Sequence, residues 1–183
     1  MIEFRLYLLV AVLCVALITD LWRYKIYNWL IVLGLIAGIL FQMQAFGATG
    51  LWFWFRGVGV ALVAFLPLYL VRGMAAGDVK LMMVVGGLLT FSVLIDALLN
   101  TYIAGGIIAL VYVFYRRQGA TLWLNIKHLM FGHFVKMSSG VVINDEINEK
   151  DSVGKMPYAL AICIGTVYAL QQNGLLFNDF IEN

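Results

Sequence analysis

The chain has 183 residues, of which 63% are hydrophobic and only 12% charged, against roughly a quarter charged in an ordinary soluble domain. The formal net charge of +2 is too small for a nucleic-acid footprint, and two cysteines, Cys14 and Cys163, are too few for a disulfide framework or a CxxC metal site. Uninterrupted apolar runs over 81–95 and 97–115 exceed what one soluble core can hide, so lipid must cover the rest.

A hydrocarbon core of about 30 Å needs roughly 20 helical residues. Divided at its charges and turn residues, the chain predicts an all-α, polytopic membrane protein of six transmembrane helices, over 4–22, 28–46, 51–71, 79–95, 100–115 and 157–176. Glu3 and Arg5 precede the first apolar run, Arg23 and Lys25 follow it, and no small-residue cleavage site comes after; the pattern is that of a retained span and not of a signal peptide. The fourth and fifth spans read as a tight pair turning at Asp96, Asn100 and Thr101, with Asp96 as a solvated turn residue. Pro157 suits the first turn of the last helix, where its missing N–H is no loss. The polar stretch 116–155 is the one substantial extramembrane segment. Within it Trp123, Ile126, Met130 and Phe134 recur at helical spacing among Lys127, His128 and Lys136, the pattern of an amphipathic helix in the interface. Both cysteines read as small core residues, and the whole chain as one membrane-embedded domain.

Alternating the loops between the two faces places ten of the twelve Lys and Arg residues on one side, with only Arg5 and Arg56 opposite. The positive-inside rule makes that side cytoplasmic and puts both termini outside. Trp22, Trp29, Trp52 and Trp54 fall at span ends, as an aromatic belt would have them. Arg56, near the outer end of a span, reads as a snorkelling cation.

On this topology Asp20, closing the first span, and Asp78, opening the fourth, share the cytoplasmic boundary. Ionisable groups at a span edge are kept for a function or neutralised by a partner. In the plainer reading Asp20 pairs with Arg23 and Asp78 is the N-cap of its helix. As a pair, they offer acid–base chemistry: two carboxyls in one site cannot both ionise easily, so one holds a proton while the other acts as base. Such a dyad can deprotonate water and protonate a peptide carbonyl or leaving amine with no serine or cysteine nucleophile.

The segments Asp20-Leu-Trp-Arg23-Tyr-Lys-Ile26-Tyr-Asn28 and Gly73-Met-Ala-Ala-Gly77-Asp78-Val79-Lys80-Leu81 resemble the two active-site motifs of the type IV prepilin peptidases, the GxGD class of membrane aspartyl proteases. Pro157-Tyr158-Ala159-Leu-Ala161-Ile162 is similar to that family's Pro-Tyr-Gly-x-Ala-Ile segment. The resemblance implies the GxGD protease fold, with Asp20 and Asp78 as the catalytic pair and Gly73, Gly77, Arg23, Asn28, Lys80, Pro157 and Tyr158 as supporting positions. Gly77 is then expected to let the backbone turn closely before the aspartate. Three positions depart from the family pattern: Ala75 stands in place of the first GxGD glycine, Tyr27 in place of a common proline, and Ala159 in place of the last motif's glycine. Only a few residues separate the first two spans, so the cysteine-containing methyltransferase insert of bifunctional members is not expected. The chain looks like the short, peptidase-only members that serve tight-adherence (Flp) pili or like preflagellin peptidases. The resemblance implies cleavage of a short leader from a prepilin or pseudopilin at the cytoplasmic face of the inner membrane, with the substrate's helix and the lipid bilayer as partners.

No cofactor or metal is expected: His128 and His133 are five residues apart and do not share a helical face as a metal pair would. Two rival readings stay open from the residues alone. One is a small transporter or channel using the two aspartates for cations or protons. The other is an assembly partner that binds pilins without cutting them.

Overall fold

Six helices follow one another in the computed structural model, which describes residues 2–23, 25–70, 73–116 and 158–175. They are α1 (Ile2–Arg23), α2 (Asn28–Phe46), α3 (Thr49–Leu70), α4 (Ala76–Leu88), α5 (Phe91–Arg116) and α6 (Ala159–Gln172). Met1–Gly106 and Pro157–Asn183 form one compact unit, and Ile107–Met156 a second. Of the second, only the end of α5 falls among the described residues, so the expected amphipathic helix around Trp123 lies outside them. The described residues contain helices and turns and no strands.

Among the described residues, four helices are long and apolar enough to cross a membrane: Phe4–Arg23, Asn28–Phe46, Thr49–Leu70 and Phe91–Val111. Their outward side chains are large and apolar, including Leu33, Leu40, Val63, Leu70, Ile107 and Leu110, as lipid-facing surfaces require. α4 and α6, of 13 and 14 residues, are shorter than the roughly 20 residues a span needs.

The turn between the fourth and fifth elements is not where polarity placed it. α4 stops at Leu88, Leu89 adopts an extended conformation (φ −90°, ψ 160°), and α5 begins at Phe91. Asp96, Asn100 and Thr101 therefore sit inside α5. Two of them find polar partners, Asn173 donating to the Asp96 carboxylate at 3.0 Å and Asn100 donating to Gln172 at 3.2 Å, while Thr101 is fully buried with its hydroxyl unpaired among the described residues. The break needs its own polar partner, because a buried carbonyl released from a helix must find a donor. Gln42 supplies it, its Nε2 donating to the Leu89 carbonyl at 3.3 Å.

α4 packs against α1, α2, α3 and α6. Val79, Leu81, Met82, Val84, Val85 and Leu88 are all buried, so from Leu81 onward the helix is apolar around its whole circumference, as a central helix must be, while its first turns carry Asp78 and the exposed Lys80. Its closest neighbour is α3. Gly57 and Gly86 meet where the two cross, and a Cβ on either would collide with the other's carbonyl oxygen; small residues let helix backbones approach this closely. Trp54 joins that seam. Its indole packs on Gly38 and Gly87 with a buried N–H, so unlike the exposed Trp22, Trp29 and Trp52 it is not part of a belt. Cys14 also differs from expectation: it is exposed, whereas Cys163 is half-buried with its thiol donating to the Leu13 carbonyl at 3.5 Å.

Gly57→Ala should lower the stability of the purified protein in detergent by about 1–3 kcal/mol, the usual cost of overpacking. Gly59→Ala, two residues on and with open space where its Cβ would go, should be near neutral. Thermal unfolding of the two variants separates helix crossing from a general intolerance of α3 to substitution.

Candidate active site

Each aspartate is held by a backbone N–H at the start of a helix. Asp20 lies in the last turn of α1 and is 7% exposed. Its Oδ2 accepts the Ala159 N–H at 3.2 Å, the first residue of α6. Asp78 lies in the first turn of α4 and is 4% exposed. Its Oδ2 accepts the Ala75 N–H at 3.1 Å, and its own N–H donates to the Ala75 carbonyl at 3.1 Å. Asp78 is thus not the N-cap; it is the third residue of the helix reaching back to the cap, half of a capping box. Asp20, for its part, makes its hydrogen bond across to α6, and Arg23 turns away to donate to the Tyr27 hydroxyl at 3.3 Å.

The helix termini favour negative charge on both carboxyls, and burial opposes it. For Asp78, at the loop end of α4 and outside the four candidate spans, burial wins. It pushes the carboxyl from 3.8 up to about 7, the Ala75 N–H pulls in the opposite direction, and the charge of Asp20 raises it further. The charge of Asp20 is the smallest of these three influences, and through it the two carboxyls sense one another.

The supporting residues fall into two groups. Lys80 and Asn28, 52 residues apart in sequence, meet: Lys80 Nζ donates to Asn28 Oδ1 at 3.1 Å, fastening the start of α2 to the first turns of α4. Gly73 closes the end of α3, its N–H donating to the Leu68 carbonyl at 2.8 Å. Gly77 has a different role from the tight turn expected of it. It is inside α4's first turn, and a Cβ there would press on the Ile26 side chain at 3.3 Å. The glycine lets the 25–27 segment lie against the helix that carries Asp78. Tyr158 is buried with its hydroxyl end against Gly105 of α5, while Pro157 lies outside the described residues.

Sequence reasoning quoted Ala75, Ala159 and Ile26 within the motifs without assigning them these roles, and passed over Gly105. The first two act through backbone N–H groups, which any residue type but proline supplies, and the last two through shape. Of these, only the acid three residues after a helix start carries a signal that pattern reading can catch.

Two buried carboxyls, each held by one backbone N–H, thus lie at the end of α1 and the start of α4 in a helical chain with membrane-length apolar helices. The chain belongs to the type IV leader peptidase family, whose model matches residues 7–110 and so includes both aspartates. No match was found among curated proteins or among solved structures.

Because the folded-state value of Asp78 lies above its ordinary one, ionising it costs stability. The folded form holds the proton more tightly between about pH 4 and pH 7, so its stability falls as pH rises through that window and levels off above it. Asp78→Asn removes this term. The variant's stability relative to the parent protein should therefore improve from pH 4.5 to pH 8, measured by thermal unfolding in detergent. A difference that stays flat with pH would show that Asp78 is not held protonated.

Proposed function

We propose that the protein is an aspartic-type endopeptidase that removes the leader of prepilin-like substrates. The observation that carries this reading is the carboxyl pair itself. Both acids are buried, each is oriented by one N–H, and the charge of Asp20 disfavours ionisation of Asp78, all within the segment matched to the type IV leader peptidases.

The chemistry needs one ionised and one protonated carboxyl. The ionised member takes a proton from water as the water oxygen attacks the scissile carbonyl, and the protonated member gives its proton to the carbonyl oxygen. Collapse of the tetrahedral intermediate breaks the C–N bond, with a proton delivered to the leaving amine. We assign the base to Asp20 and the acid to Asp78, since Asp78 is the more buried of the two and is pushed to about 7.

The same reading includes six spans, both termini outside, a site at the cytoplasmic face of the inner membrane, no methyltransferase activity and no cofactor. It takes as substrate a pilin or pseudopilin whose basic leader precedes a hydrophobic helix. With that helix lodged among these helices, the leader emerges at the height of Asp20 and Asp78, and depth in the bilayer selects the bond. Function in pilus assembly or secretion follows from the substrate.

Asp20→Asn and Asp78→Asn should each lower leader removal from a co-reconstituted prepilin by at least about 10²–10⁴-fold, the range of a general acid or base, while the protein still inserts and accumulates. Asp96→Asn, on α5 with Asn173 as its partner, should be nearly silent. Activity should survive EDTA and thiol-directed reagents. Loss with EDTA and recovery with one divalent metal would overturn the two-carboxyl mechanism. Retained cleavage in both Asp→Asn variants would overturn the site. Labelling of a cysteine placed at Gln118 from the outer face would overturn the topology.

A further inference from the structure

The end of α4 opposite Asp78 closes on a second polar site. Gln42, Phe46, Phe53, Arg56, Gly57, Leu89, Thr90 and Phe91 surround a cavity of about 170 Å³. α4 runs for 13 residues between the two sites, about 20 Å at 1.5 Å per residue.

Three features of this cavity ask for a ligand. First, Arg56 is exposed within the apolar stretch Thr49–Leu70. A lipid-facing cation on a span is unfavourable unless it reaches an anion or the interface. Its guanidinium lies 3.8 Å from the centroid of the Phe91 ring, which holds it beside the cavity, and neither α2 nor α3 contains an acidic residue to pair with it. Second, α5 begins at Phe91 with no acidic residue in its first turn, so the positive end of a 26-residue helix adds to the charge of Arg56. Third, Gln42 is 2% exposed. Its Nε2 is fixed by the Leu89 carbonyl, which leaves the Oε1 as a buried acceptor with no donor. An amide carbonyl in that state is destabilising until something donates to it.

Cation and helix end call for a phosphate; the amide oxygen calls for an N–H or O–H a short distance from that phosphate. Phe46, Phe53 and Phe91, 40–48% exposed, frame the mouth with apolar surface. We infer that this cavity binds the headgroup of a phospholipid whose phosphodiester meets Arg56 and the start of α5 and whose terminal ammonium or hydroxyl donates to Gln42. Phosphatidylethanolamine and phosphatidylglycerol have that chemistry. Phosphatidylcholine carries the phosphate but no donor.

The test is lipid binding to the purified full chain, read by native mass spectrometry and thermal shift with phosphatidylethanolamine, phosphatidylglycerol, phosphatidylcholine or inorganic phosphate. The two donor-bearing lipids should bind about tenfold better than phosphatidylcholine, about the worth of one satisfied buried hydrogen bond. Arg56→Gln, an exposed position, should weaken all three lipids. Gln42→Met should erase the preference among them while leaving lipid binding in place. If Gln42→Met does not fold, the preference is read from Gln42→Glu at a pH where the carboxylate is ionised, which should retain or increase it. Equal binding of phosphatidylcholine, indifference to Arg56→Gln, or an equal shift with inorganic phosphate would overturn the proposal.

Discussion

The burial of α4 beyond its first turns, from Leu81 to Leu88, is the constraint from which the rest of the structure follows. A helix packed against α1, α2, α3 and α6 can bring a carboxyl into the protein interior only at an end, where backbone donors are free. Asp78 takes that position. Its neighbours are correspondingly specialised: glycines at the α3 crossing to admit the backbone, Gly77 to admit Ile26, and Gln42 to answer the carbonyl exposed at the far end.

Burial also sets the chemistry. A carboxyl at the end of a solvated helix would be fully ionised at neutral pH and a poor acid. Here the interior raises it, a single N–H restrains the shift, and a second carboxyl adds its repulsion. Two raising influences and one lowering one leave it near neutrality, where a carboxyl can serve as the acid of the proposed reaction.

Much of this was legible in the sequence. The helical character of the described residues, the bounds of α2, and the position of both aspartates at helix ends follow from hydropathy, charge and short-range pattern, because lipid punishes every unsatisfied backbone group and so restricts the answer to helices. The α4–α5 junction was not legible. Leu88, Leu89 and Thr90 carry no glycine, proline or charge, whereas Asp96, Asn100 and Thr101 imitate a turn. What decides the matter is a side chain on another helix, Gln42, and partners beyond residue 170 for the polar groups of α5. Likewise nothing in the residues around Asp20 announces that its partner is the amide of Ala159, since a backbone donor leaves no mark in the sequence.

That last bond joins positions 139 apart in the chain. Helices enter a membrane in order of synthesis, and the first one carries Asp20 into place before the amide that receives it has been made. Until α6 packs against α1 that bond cannot form. Closing it requires α1 and α6 to be in place together, so the setting of Asp20 is a product of the assembled bundle and not of the segment that carries it.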